Sequence, residues 1–129
     1  MAERRRATSG SPFECPIGFS RAIRVDDRVL VSGTGPVWPD GSCDPDVFAQ
    51  AMRCFKVAGT ALSELGASLR DVVRTRMYLL DAADWEAVGR AHNAYFEAVR
   101  PAATRVVVAG LLDPRWRVEV ELEAIAQAA

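Results

Sequence analysis

The run from Trp116 to Ala124 alternates without a break: Trp116, Val118, Val120, Leu122 and Ala124 on one side, Arg117, Glu119, Glu121 and Glu123 on the other. Period two is the repeat of an extended strand, and a strand with one wholly apolar row lays that row on a core. A helix of about 3.6 residues per turn would wind the glutamates into the interior. The charged row must then face water, a partner chain or a ligand. Upstream, Thr104–Ala109 reads as a second strand, joined to the first through Gly110-Leu111-Leu112-Asp113-Pro114, whose Gly and Asp-Pro are turn formers. The question for the charged row is whether Arg105 of that second strand meets Glu121.

The rest of the chain supplies layers for this pair. Residues 1–12 are polar and are expected to form a flexible tail, with a single domain over 13–129. Phe19–Val25 and Arg28–Ser32 are short predicted strands around the turn pair Asp26-Asp27. Ser32-Gly33-Thr34-Gly35-Pro36 follows, where the backbone must bend and a ligand can approach closely. Asp44-Pro45 reads as the start of a helix, Asp as N-cap and Pro at its first position. Its apolar stripe is Phe48, Ala51, Met52, Phe55, Ala58, Leu62 and Leu65, with Gly66 as the stop. Val72–Leu80 is a predicted strand. Asp81 caps a second helix striped by Trp85, Val88, His92, Tyr95, Phe96 and Val99 and ended by Arg100-Pro101. On that stripe His92 is expected to be structural, and Trp85 and Tyr95 core anchors. The order β-β-α-β-α-β-β predicts a two-layer α+β domain, a mixed sheet with two helices on one face. The other face is left bare, which predicts self-association through it.

Composition excludes several classes. A net charge of −1 over 129 residues argues against a general nucleic-acid binder, and Arg4-Arg5-Arg6 is the one basic cluster. No apolar run approaches the roughly 20 residues of a membrane helix, and the N-terminus lacks a secretory pattern. Cys15, Cys43 and Cys54 are odd in number and far apart, and His92 is the sole histidine. These features point to a reducing cytoplasm and to neither a disulfide framework nor a metal site.

Four segments together carry a family resemblance. They are Ser32-Gly33 after a strand, Gly66-Ala67-Ser68-Leu69-Arg70-Asp71-Val72-Val73, Pro101-Ala102, and Glu121-Leu122-Glu123-Ala124-Ile125-Ala126. In this order and spacing the chain resembles the YjgF/RidA/UK-type family, also labelled endoribonuclease L-PSP, over roughly residues 9 to 126. The resemblance implies a chorismate-mutase-like α+β fold and a homotrimer with clefts between subunits. It also implies hydrolysis of a reactive enamine or imine, such as 2-aminoacrylate, without metal or cofactor. The family's water-positioning glutamate corresponds to Glu121 and its Ser-Gly to Ser32 and Gly33. Its carboxylate-gripping arginine falls on Ala103, its N-terminal tyrosine on Phe19 and its helix asparagine on Gly89. The chain therefore resembles a divergent branch.

Period two sets Arg105 on the same face as Ala103, so its guanidinium is a candidate replacement for the lost grip on a carboxylate. The competing reading pairs Arg105 with Glu121 or Glu119. Glu121 is either a general base acting on water or one member of a solvated acidic row. Ser32 and Gly33 offer backbone N–H groups to an anion, or are simply a turn. Arg74 and Arg76 are on one side of their strand and are expected to meet the acidic row. Three functions remain: a deaminase-type hydrolase of a small imine, enamine or related metabolite; a non-catalytic small-ligand-binding trimer; and a ribonuclease, which the acidic balance opposes.

Overall fold

The computed structural model describes residues 3–127. The chain runs β1 (Arg4–Ala7), α1 (Glu14–Ile17), β2 (Ala22–Val25), β3 (Arg28–Thr34), α2 (Val47–Glu64), β4 (Val72–Leu79), α3 (Trp85–Phe96), β5 (Ala102–Val107) and β6 (Val118–Ile125). The six strands form one sheet in the order β1-β2-β3-β6-β4-β5. Only β4 and β5 are parallel, as a connection through a helix requires. Helices α2 and α3 pack together over one face, so the expected two-layer α+β architecture stands.

The alternation in β6 does what its pattern demands. Val118, Val120, Leu122 and Ala124 are buried beneath α2, whose Phe55, Ala58 and Leu62 have no exposed surface. Each fully buried Leu, Phe or Val contributes about 1.5–3 kcal/mol, so this contact stabilises the fold by several times that amount. Gly66 ends α2 as expected, at φ +76°, with Ala67 N–H on Leu62 O and Gly66 N–H on Ser63 O.

Several expectations are corrected. Within the expected flexible tail, Arg4–Ala7 form strand β1, paired with β2 so that Arg5 faces Arg24. Their like charges are tolerated because both guanidiniums donate to Leu65 O at the negative end of α2, at 2.8 and 2.7 Å. Residues 1–2 and 128–129, the outer ends of the expected tail and domain, lie outside the described residues. Helix α2 starts later than Asp44-Pro45: Asp46 is its N-cap and accepts from Ala49 N–H at 2.9 Å. Asp81 caps a 3-10 turn over Ala82–Asp84, and α3 begins only at Trp85. Trp85 is no core anchor; it is 49% exposed. Strand β5 starts two residues early and is not the partner of β6, because β4 lies between them.

The bare face carries Leu30 of β3, Arg76 and Tyr78 of β4 and the glutamates of β6. Of the two arginines expected to meet the acidic row, Arg76 does, 3.0 Å from Glu121 and 3.7 Å from Glu123, whereas Arg74 makes no ion pair with it among the described residues. Among the described residues no helix is long and apolar enough to cross a membrane.

Candidate active site

At the upper end of β3 the register with β6 slips between Val31 and Thr34. This irregularity turns Ser32 and Gly33 toward a cleft of about 740 Å³. A Cβ at Gly33 would collide with the Glu119 carboxylate, so glycine there lets that side chain lie flat on the backbone. A Cβ at Gly35 would sit 2.5 Å from the Trp116 ring, whose other contacts include Phe13 edge-on at 6.1 Å. Gly35→Ala is expected to cost about 1–3 kcal/mol through overpacking. Chemical denaturation checks this; an unchanged midpoint would mean the indole has room to move.

Glu121 is at the junction of the cleft and a smaller groove on the bare sheet face. Its Oε1 accepts from Tyr78 OH at 2.7 Å and from Arg76 at 3.0 Å. Among the described residues its other oxygen has no partner. The bond to Glu121 pushes the Tyr78 phenol up to about 12, so at neutral pH Tyr78 is a standing donor. Charged and neutral donors on one oxygen orient the carboxylate and leave its second oxygen for a ligand or water. Glu119 lies two residues away on the same face, and burial raises its carboxyl above the usual range.

Behind the cleft is a buried pair. Arg21 and Glu14 are 5% and 6% exposed, with Arg21 Nη2 3.6 Å from Glu14 Oε2. Arg21 also donates to Gly33 O and, at 3.0 Å, to Thr34 Oγ1. It therefore clamps the irregular end of β3 from below.

The seven expected site residues divide into two groups. Phe19, Ser32, Gly33 and Glu121 line the cleft together. Ala103, Arg105 and Gly89 do not. Ala103 and Arg105 stand beside Thr75 and Met77, whose side chains enter the helix layer, so Arg105 points to the face opposite Glu121. Its guanidinium is 5.3 Å from the Trp85 ring, and Gly89 is one helical turn beyond Trp85. Arg105 and Glu121 thus do not meet within one chain, and the partners of Glu121 are Arg76 and Tyr78. His92 is structural as expected, with Nε2 2.8 Å from Thr75 Oγ1 and Phe55 and Phe96 around its ring. One role is corrected: Ser32 N–H is taken by Arg21 O at 2.9 Å, and its hydroxyl donates to Ser20 O at 2.7 Å. Both Ser32 donors are thus spent within the chain, and its hydroxyl oxygen keeps lone pairs for an incoming donor.

Sequence reasoning missed Tyr78, Arg21 and Glu14. Tyr78 was within reach, since it shares a face with Arg76 two residues away. Glu14 and Arg21 were not, because α1 is a single short turn without periodic signal. Among the described residues no group of three or more His, Cys, Asp or Glu side chains converges as metal ligands would.

The endoribonuclease L-PSP family model matches residues 13–127. An uncharacterized protein of Streptomyces coelicolor is 44% identical over 123 residues, covering 93% of this chain and 90% of that protein. The 2-iminobutanoate/2-iminopropanoate deaminase of Mus musculus is 32% identical over 130 residues, covering 95% and 90%. Among solved structures, a Mycobacterium tuberculosis protein described as a member of the YjgF/YER057c/UK114 family superposes with a TM-score of 0.89. It is 37% identical and the match covers 96% of this chain and all of that one.

Proposed function

Since the chain belongs to the endoribonuclease L-PSP family, we propose that it hydrolyses a small imine or enamine, with Glu121 positioning the attacking water. The observation that carries this reading is the Glu121 carboxylate, pinned through Oε1 by Tyr78 and Arg76 at the edge of a cleft. The mouse relative named as an imine deaminase supports the reaction class. In the step itself the free carboxylate oxygen takes a proton from water as the new C–O bond forms at the imine carbon. The C=N π pair moves to nitrogen. The proton is then passed to that nitrogen to give a carbinolamine. Its hydroxyl proton follows to the nitrogen as the O–H pair forms the C=O bond, the C–N bond breaks with its pair on nitrogen, and a carbonyl compound and ammonia leave. Neither metal nor cofactor enters the balance.

The two separated groups of site residues support a homotrimer. A second copy bringing its β5 edge to the cleft would add Ala103, Arg105 and Gly89 to Phe19, Ser32, Gly33 and Glu121. The exposed β5 edge and the bare sheet face are the surfaces left for such contact. In this arrangement Arg105 takes the carboxylate of the substrate, and Ser32 and Gly33 form the wall it lies against. Arg105→Ala is expected to raise KM for a carboxylate-bearing imine about 10- to 100-fold, the loss of one charge-assisted contact. Unchanged turnover and KM would remove Arg105 from the site. Mixed trimers of Arg105→Ala and Glu121→Gln chains should recover part of the activity, because some clefts then combine intact residues from different copies.

A second reading, a non-catalytic ligand-binding trimer, is favoured by the apolar wall that Phe19 gives the cleft. A further alternative is an enzyme of specialised metabolism with another substrate. The assay that separates them follows keto-acid release while a serine dehydratase generates 2-aminoacrylate. Acceleration by the wild type that is lost in Glu121→Ala supports the deaminase; no acceleration leaves the binding reading.

A further inference from the structure

Six charged side chains line the cleft: Arg21, Arg53, Asp113, Arg115, Glu119 and Glu121. Five are already engaged. Arg21 is bound to Glu14, Gly33 O and Thr34. Arg53 is stacked on Trp38 at 4.1 Å and donates to Val37 O. Arg115 and Asp113 pair with each other at 2.8 Å. Glu121 is held by Arg76 and Tyr78. Glu119 alone has neither a hydrogen bond nor an ion pair among the described residues, and its carboxylate lies against Gly33. Arg21 acts on it only at longer range, and burial disfavours its charge. A half-buried carboxylate without a partner is costly, and a cation that reaches it relieves that cost.

The walls point the same way. Phe13, Phe19, Trp38 and Trp116 give the cleft four aromatic side chains, with Val57 and Leu112 beside them. Aromatic faces attract cations and large apolar groups alike. The volume of about 740 Å³ falls within the range of roughly 300–1,000 Å³ that holds drug-sized ligands. A three-carbon imine would leave most of it to water. Two further donors, Nε of Arg21 and Nε1 of Trp116, have no partner among the described residues, but both atoms are fully buried and out of a ligand's reach.

We propose that the cleft selects a protonated imine bearing a large apolar or aromatic substituent. Its cationic nitrogen pairs with Glu119 and its substituent lies among Phe13, Phe19, Trp38 and Trp116. This names the substrate class for the imine-hydrolysis reading and rests on it for the reacting bond. The pairing has a chemical use. Protonation at nitrogen makes the imine carbon the better electrophile, and Glu119 holds that proton in place. The neutral carbonyl product has no cation to offer Glu119 and is released.

The test uses the full-length protein and three unreactive probes, followed by calorimetry and by tryptophan fluorescence from the cleft. 2-Phenylethylammonium carries both features, 2-phenylethanol lacks the charge and ethylammonium lacks the ring. The wild type is expected to bind 2-phenylethylammonium at least about tenfold tighter than either of the others. Glu119→Gln, a near-isosteric change, should erase the preference for charge and leave 2-phenylethanol binding within about twofold. Equal affinity for the ammonium and the alcohol in the wild type overturns the inference, as does a charge preference that survives Glu119→Gln. Keto-acid release measured in parallel separates the two readings. Hydrolysis of 2-aminoacrylate without charge preference removes the cation seat and leaves the deaminase. Charge preference without hydrolysis keeps the seat and removes the reaction.

Discussion

Glu121→Gln is expected to lower kcat/KM for imine hydrolysis by about 10²- to 10⁴-fold, the usual worth of a positioned general base. The amide keeps the shape of the side chain, and its oxygen can still accept from Tyr78 OH and Arg76. What it loses is the capacity to take a proton from water. The fold should hardly notice. The side chains of Arg76 and Glu121 are 37% and 30% exposed, and an ion pair at such a site is worth about 0–1 kcal/mol. Thermal denaturation of the variant should therefore overlay that of the wild type within a few degrees while keto-acid release collapses. Activity within threefold of the wild type would move the base elsewhere in the cleft, and Glu119, on the same face, would be tested next. Because the Tyr78 phenol is raised to about 12, deprotonation of Tyr78 leaves no inflection in the rate between pH 6 and 9.

What the sequence made legible was whatever has a repeat. The alternation in β6 and the stripe of α2 survive intact, since burial selects apolar residues at the period of the backbone. Gly66 was readable because a helix that ends in a left-handed residue takes glycine there. Arg4-Arg5-Arg6 misled for the opposite reason. Strand β1 gains its pairing from β2 and its charge balance from the end of α2, more than forty positions away in sequence, and no local pattern reports that. Arg105 was placed on the correct strand and beside Ala103. That β4 would lie between β5 and β6, however, is a matter of topology. Sequence proximity of the last two strands suggested a direct meeting of Arg105 and Glu121 that the sheet order forbids within one chain. In the site, Glu121, Ser32, Gly33 and Phe19 were legible through family resemblance. Glu119 was visible only as one of three similar glutamates. The difference among them is made by Gly33, Arg76 and Tyr78 on neighbouring strands.

Glu14→Ala is expected to destabilise the protein by about 3 kcal/mol, the larger of the structural effects. Thr8 Oγ1, Ser9 Oγ and Ser9 N–H all donate to the Glu14 carboxylate, at 2.7, 2.6 and 3.2 Å. Removing it leaves Arg21, 5% exposed, as a buried cation without counter-ion, a defect worth about 3–5 kcal/mol. For a chain of this size that is a fall in Tm of about 10 °C. The effect depends on pH with a defined sign. Burial alone would raise the Glu14 carboxyl, but the hydrogen bonds from Ser9 and Thr8 and the charge of Arg21 bring it below the ordinary glutamate value of 4.5. A group whose value is lower in the folded than in the unfolded chain stabilises fully above the unfolded value. That stabilisation is lost as pH falls through the folded one. The gap in stability between wild type and Glu14→Ala should thus be full at pH 7, begin to narrow near pH 4.5 and shrink further below it. Denaturant titrations at pH 7 and pH 3.5 measure this directly, and a gap that is small at pH 7 or constant with pH would refute the buried-pair account. The same variant bears on the cleft, because Arg21 holds Gly33 O and Gly33 is the surface on which Glu119 rests. A carboxylate 33 residues upstream of Val47, the first buried residue of α2, and outside any periodic element, thereby supports the stretch of β3 against which Glu119 lies.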